Sequence, residues 1–272
     1  MSAPERDYVL GTHDEELNRL GLQHRVWRPT VLNAWRAAGI RRGSAVVDIG
    51  AGPGFASADL AELVGPKGRV HAVERSNRFV AHARSLAAAR HLANVTFQEA
   101  DLMESPISGG PFDASWCRWV ACFVPSPRTL VARLATAIKP GGAAVFHEYA
   151  DYRTYSLVPS RPTMERFVAE VMSSWRESGG EPDIARDLPG LLHAEGFRVE
   201  SATPRIFAAR PSEEMWKWPA GFVLTHLDRL IELGRIDAAF AEELRRDLAA
   251  ATRDGVSLLL TPLVLEIVAR RV

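Results

Sequence analysis

The sequence predicts an α/β protein, a mainly parallel sheet with helices on both faces. Three observations predict it. From residue 44 onward, short β-rich runs alternate with helical patterns. The stretch VVDIGAGPGF, residues 46–55, carries a buried run directly into a glycine loop. A hydrophobic fraction of 47% in 272 residues suffices for one sizeable core with elaborations.

The elements follow in order. Residues 14–38 read as one or two helices interrupted at Pro29, because proline lacks a helical N–H. Ala45–Ile49 reads as a buried strand and Ala56–Val64 as a helix. Arg69–Val73 is the next strand, and Ser76–His91 an alanine-rich helix capped by Ser76. Val95–Glu99 and Phe112–Cys117 are strands. Arg128–Ile138 is a helix that stops at Lys139-Pro140-Gly141-Gly142, and Ala143–His147 the fifth strand. Thr163–Ser178 and Asp187–Gly196 read as helices, and Phe197–Arg210 as a strand made irregular by Pro204. Residues 211–258 are amphipathic and helical, and Leu263–Arg270 returns to strand. This divides the chain into an N-terminal cap (1–43), a core (44–150), a lid (151–182), a core continuation (183–210), a second helical insertion (211–258) and a terminal strand (259–272).

The glycine loop by itself fits either a tight strand-to-helix turn or a ligand lying against bare backbone. A dinucleotide loop, G-x-G-x-x-G, would need a third glycine where Phe55 stands. The glycines fall instead at alternate positions, Gly50, Gly52 and Gly54, two residues after Asp48. Glu74 ends the second strand, Asp101 follows the third in FQEADLM, and FDASWCRWV (112–120) and IKPGGAAVFHEY (138–149) carry the fourth and fifth.

In this order and spacing the motifs resemble those of class I S-adenosylmethionine (SAM)-dependent methyltransferases, in particular the small-molecule, UbiE-like group. The resemblance covers residues 44–150 closely and the terminal strands more loosely. It implies a Rossmann-like, doubly wound, seven-stranded sheet with an antiparallel last strand. It implies SAM as cofactor, leaving S-adenosylhomocysteine. Asp48, Gly50, Ala51, Gly52 and Gly54 would then form the loop against the amino-acid end. Glu74, with Arg75 beside it, would take the ribose hydroxyls, and Asp101 and Leu102 the adenine. Tyr8 and Gln23, in YVLGTHDEELNRLGLQ, would close over the amino-acid end, or be a surface tyrosine and a helix-face glutamine. Cys117 at the end of the fourth strand is either a cofactor neighbour or a packing residue.

A sulfonium methyl is already electrophilic, so the protein must chiefly place a nucleophile in line with it and exclude water. His147, at the C-terminal end of the fifth strand, is the candidate general base, against the alternative of a histidine bonded to a neighbouring loop. Its neighbour Glu148 should face the other side of the sheet. His71, His82, His91 and His193 sit in scaffold elements. Relatives often carry a histidine where this chain has Phe123. Aromatic residues gather in the cap and insertions, and Trp27, Tyr149, Tyr152, Trp216 and Trp218 are the candidates for an apolar or aromatic acceptor site.

Other classes are disfavoured. Lys+Arg and Asp+Glu balance at 33 each, so no net field draws a polyanion, and a nucleic-acid partner is not expected. No proline pair of the [DNS]-P-P-[FYW] kind follows the fourth strand, and no metal-ligand spacing is visible. Two cysteines make no disulfide framework. MSAPERDYVL does not read as a signal peptide, having no long apolar stretch preceded by basic residues, and the run from Val256 reads as too short and interrupted to span a membrane. A cytoplasmic enzyme with a small-molecule acceptor is the expectation, its oligomeric state open, a homodimer included. A SAM-binding cyclase or regulatory module, or a dehydrogenase, is the alternative.

Overall fold

The computed structural model describes residues 14–272. Tyr8 lies outside the described residues. Helix α1 (Asp14–Ala37) leads into β1 (Ala45–Ile49), α2 (Phe55–Val64), β2 (Arg69–Glu74), α3 (Asn77–Ala89), β3 (Val95–Glu99), β4 (Phe112–Arg118), α4 (Pro127–Ala137) and β5 (Ile138–Asp151). Then come β6 (Ser156–Val158), α5 (Pro162–Glu177), α6 (Leu188–Ala194), β7 (Phe197–Arg205) and β8 (Ala208–Ala209). Helices α7 (Glu214–Glu232) and α8 (Ala238–Arg253) precede β9 (Leu258–Leu260) and β10 (Leu263–Arg271).

Seven strands form the main sheet in the order β3-β2-β1-β4-β5-β10-β7. The first five pair in parallel, and β10 runs antiparallel between β5 and β7. Strands β1 and β4 are nearly all buried, which is why they read as continuous apolar runs. The chain goes from β1 outward to β2 and β3, then returns to β4 on the other side. That reversal opens a crevice at the C-terminal ends of β1, β2 and β4.

Local chemistry sets the helix starts. The Ser76 hydroxyl accepts from Phe79 N at 3.3 Å, the Ser126 hydroxyl from Thr129 N at 3.2 Å, and Asp237 from Phe240 N at 2.8 Å. Pro29 does not interrupt α1 as expected. It lies on the exposed side, where water can satisfy the freed carbonyl one turn back, while buried Trp27, Val31 and Trp35 anchor both halves. Trp35 meets Trp116 of β4 edge-on, with centroids 5.5 Å apart. Asp59 of α2 ties α1 down by accepting from His24 at 3.1 Å and Arg28 at 2.5 Å, and reaches Arg90 of α3 at 3.1 Å.

The second half departs from the expected pattern. The strand expected over 197–210 breaks after Arg205, and β8 leaves the main sheet. It joins β9 and β6 in a second sheet of order β6-β9-β8, all antiparallel. Thr261 fixes that crossing, donating its N–H to Phe207 O at 2.9 Å while its hydroxyl accepts from Phe207 N at 3.0 Å. The small sheet joins the 151–182 segment to the end of the second insertion; α5 and α7 pack against it, and α8 packs against both of those helices.

Candidate functional site

A cleft of about 320 Å³ opens at the crevice. Its walls come from the loop after β1, the ends of β2 and β4, the segment after β3 and one face of α1. Each wall has a physical reason to stand where it does.

Gly50 and Gly54 are packing glycines with positive φ, of 61° and 86°. A Cβ on Gly50 would come within 2.4 Å of Val120, and one on Gly54 within 2.5 Å of Ala83. Gly52, at φ 54°, has nothing within 4 Å of its missing Cβ, because that side faces the cleft. Beneath the loop, Asp48 is buried and accepts from the Ser57 hydroxyl at 2.6 Å. Burial pushes its carboxyl up to about 7.

Glu74 closes the loop from the side. Its two oxygens accept from Gly52 N and Ser76 N, each at 2.9 Å. Burial raises its pKa, and those backbone donors oppose the rise. Asp101 turns the chain after β3 by accepting from Met103 N at 2.8 Å, with Leu102 buried beside it. Arg75 and Glu104, both exposed, stand at the outer rim.

The other end of the cleft is cationic and aromatic. Arg118, the last residue of β4, lies with its guanidinium 5.2 Å from the Trp119 ring and 5.9 Å from Trp116. Trp119 holds φ at 51°, rare for a bulky residue. Its ring is nearly parallel to Tyr149 and to Trp218, at 5.5 and 5.4 Å. Beyond it lies a second, small pocket of about 30 Å³, lined among others by Arg19, Tyr149, Tyr152, Trp175 and Trp218. Gln23, Trp119 and Phe123 line both spaces. The Trp218 indole N–H donates to Gln23 Oε1 at 2.9 Å, joining α7 to α1 over the junction.

The residues anticipated from sequence therefore fall into groups. Gln23, Asp48, Gly50, Ala51, Gly52, Glu74, Arg75, Asp101 and Leu102 all line the large cleft. Tyr149, Tyr152 and Trp218 line the small pocket. Trp27 and Trp216 line neither; Trp27 is fully buried, edge-on to Trp119 and Trp218 at 5.3 Å. Cys117 is buried on the opposite face of β4, its thiol 3.8 Å from Glu148.

His147 also stands apart from both spaces. It is fully buried, its Nε2 2.8 Å from Glu266 of β10, whose other oxygen accepts from Arg205 at 2.8 Å. Burial lowers its pKa. Burial works against the Glu266 carboxylate too, but the bonds from His147 and Arg205 outweigh it and hold its pKa below the ordinary range. Glu148 faces the other way, as alternation requires, and receives Val120 N, Ala121 N and Cys122 N at 2.8, 2.9 and 3.3 Å. It shapes the loop that backs the cleft. Sequence reading missed Arg118 and Trp119. The signal was a charged residue closing an otherwise apolar strand in SWCRW, one position from the cysteine that was singled out.

The cleft offers open backbone, a carboxylate and a cationic donor to a polar ligand. Bare backbone at Gly52, the Glu74 carboxylate and a buried Arg118 N–H without a partner all meet there. Among the described residues no group of three or more His, Cys, Asp or Glu is placed to hold a metal ion. Among them, too, no helix is long and apolar enough to cross a membrane.

Comparison with known proteins agrees with this chemistry. The family described as a methyltransferase domain matches residues 46–142. A demethylmenaquinone methyltransferase of Geobacillus stearothermophilus is 26% identical over 196 residues, 68% of this chain and 82% of its own length. The O-methyltransferase cnsE of Penicillium expansum is 29% identical over 189 residues, 67% of this chain and 63% of its own. A solved methyltransferase candidate from Bacillus halodurans C-125 shares the fold, with a TM-score of 0.60 at 15% identity, over 88% of this chain and 97% of its own.

Proposed function

We propose that this chain, which belongs to the class I SAM-dependent methyltransferases, methylates a small, apolar, ring-bearing acceptor held in the aromatic pocket beside Trp119. The observation that carries the reading is the contiguity of the two spaces. The cofactor cleft and the aromatic pocket share Gln23, Trp119 and Phe123, so a ligand in one abuts a ligand in the other. The relatives fit this reading, since the acceptor that one relative's name gives, a demethylated menaquinone, is a ring compound.

SAM supplies a methyl group already activated by its sulfonium. The chain's residues have to bind, orient and keep water out. Glu74 takes the ribose hydroxyls, Asp101 and Leu102 the adenine, and the Gly50–Pro53 backbone lies against the ligand toward its amino-acid end. Trp119, Tyr149, Tyr152 and Trp218 orient the acceptor by ring contact. His147 is committed to Glu266 and lines neither space, so the acceptor's proton does not leave through it.

The test is an unbiased screen. The protein is incubated with SAM and a library of small metabolites while S-adenosylhomocysteine formation is followed by mass spectrometry. Turnover confined to planar, mainly apolar acceptors supports the reading. Turnover concentrated on highly charged acceptors overturns the aromatic-pocket assignment, and failure to bind S-adenosylhomocysteine overturns the cofactor assignment.

A further inference from the structure

We infer that Arg118 binds the carboxylate of the cofactor's amino-acid end, and that Asp59 and His24 hold it in place from the helical layer above. This rests on the reading that the cleft takes SAM.

Strand order orients the ligand. Asp101 follows β3 and Glu74 ends β2, so an adenosine held there leaves its amino-acid end over β1 and β4. Arg118 is the cation lining the cleft at that end. Its guanidinium is not fully used. One arm, Nη2, lies 3.4 Å from His24 Nδ1, while Nη1 is buried with no hydrogen-bond partner. A guanidinium N–H left without an acceptor is costly, and a carboxylate is the acceptor its geometry best matches. Asp48 attracts Arg118 from the floor but makes its hydrogen bond to Ser57.

The surroundings fix the free arm's direction. His24 Nε2 faces Asp59 Oδ2 at 3.1 Å. A carboxylate only accepts, so Nε2 carries the proton and Nδ1 presents its lone pair to Arg118. Burial favours this neutral imidazole. Asp59 is itself pinned by Arg28 and Arg90. Trp119 and Trp116, at 5.2 and 5.9 Å, stack against the guanidinium. A relay from α2 through α1 thus pre-sets the arginine before the ligand arrives. His24 and Asp59 are positioning residues, and Arg118 is the one that touches the ligand.

Calorimetry with two ligands tests this. S-adenosylhomocysteine carries the amino-acid end; 5′-methylthioadenosine has the same adenosine and sulfur without it. Arg118→Met should weaken S-adenosylhomocysteine about tenfold or more and leave methylthioadenosine unchanged. His24→Leu should show a smaller loss with the same selectivity, and His24→Gln, whose carbonyl can accept from Arg118, should recover part of it. Should Arg118→Met fail to fold, the wild-type protein decides: decarboxylated S-adenosylhomocysteine should bind about tenfold or more weaker than the parent. Equal loss of both ligands in Arg118→Met, or no loss of either, overturns the assignment. A wild-type protein that binds neither ligand refutes the SAM reading instead.

Discussion

Glu74 carries two tasks with one carboxylate. In the structure it receives Gly52 N and Ser76 N, so it holds the loop, and on the proposed reading it also receives the ribose hydroxyls. Removing it costs the ligand a charge-assisted bond and slackens the backbone that the ligand lies on. Glu74→Ala should therefore lower S-adenosylhomocysteine affinity by ~10- to 100-fold, from ~1.5–3 kcal/mol per bond to a charged group. Calorimetry measures it directly, and unchanged affinity would remove Glu74 from the site. A different residue makes a separable prediction about pH. His226 of α7 is buried, its ring 4.9 Å from Phe222 and its Nε2 without a partner; burial pushes its pKa down to about 4 from 6.5. The unfolded chain takes up the proton first as pH falls. Stability contributed by the neutral ring is thus fully present above about 6.5 and is lost progressively as pH drops toward 4. His226→Phe keeps an aromatic ring and removes that titration. Its stability relative to wild type should rise by ~2 kcal/mol between pH 7 and pH 5, read by denaturant unfolding at each pH. A difference independent of pH would show that His226 does not titrate as its burial implies.

The loop after β4 is held by an element next to it, and the cost of losing that hold can be stated. Glu148 of β5 receives three consecutive backbone N–H groups, Val120 to Cys122, that have turned away from the sheet. Glu148→Ala leaves them buried and unpaired at ~1–3 kcal/mol each, so a loss of ~3 kcal/mol or more is expected, a fall in Tm of ~6–12 °C. Thermal unfolding checks it, and a shift of under ~2 °C would mean that water replaces the carboxylate. This is also where legibility in the sequence divides. Strands β1, β2, β4 and β5 are legible because parallel strands buried on both faces are apolar runs bounded by glycine, proline and capping serines, whereas β3, at the sheet edge, is only partly buried. The cleft wall is legible because Gly50, Glu74 and Asp101 each stand at or just after the end of one of the strands. Strands β6, β8 and β9 are two or three residues long and exist only through pairing across the fold, Ser156 with Leu260 for example. Their sequence carries no period to detect. His147 has the sequence signature of a base for the same reason: Glu266, the partner that occupies it, lies 119 residues away on β10. Arg118 was passed over because the side-chain alternation that hides Cys117 is the one that turns Arg118 into the cleft.

At the scale of the whole molecule, the two spaces differ in what they admit. The cofactor cleft has room for a ligand and an exposed rim at Arg75 and Glu104, but the aromatic pocket's 30 Å³ holds no more than a few waters. On the proposed reading a ring-bearing acceptor needs more room than this, and movement of the layer above supplies it. That layer is α1 and α7, joined by the Gln23–Trp218 hydrogen bond and, farther out, by Arg25 and Glu214 at 3.3 Å. The outer pair is 61% and 54% exposed, so it contributes little stability but is open to chemistry. Cysteines at both positions can be joined by a short bismaleimide, while Cys117 and Cys122 are buried and protected. The joined protein should bind S-adenosylhomocysteine with its affinity unchanged, because the cofactor cleft keeps its rim. It should lose methyl transfer to the acceptor found by the screen by ~10-fold or more, because α7 can no longer part from α1. The unjoined double variant should turn over normally, which separates tethering from substitution. If the joined protein turns over at the full rate, α1 and α7 are a fixed roof and the acceptor reaches Trp119 by another path. If it loses S-adenosylhomocysteine as well, the two helices gate the cofactor too.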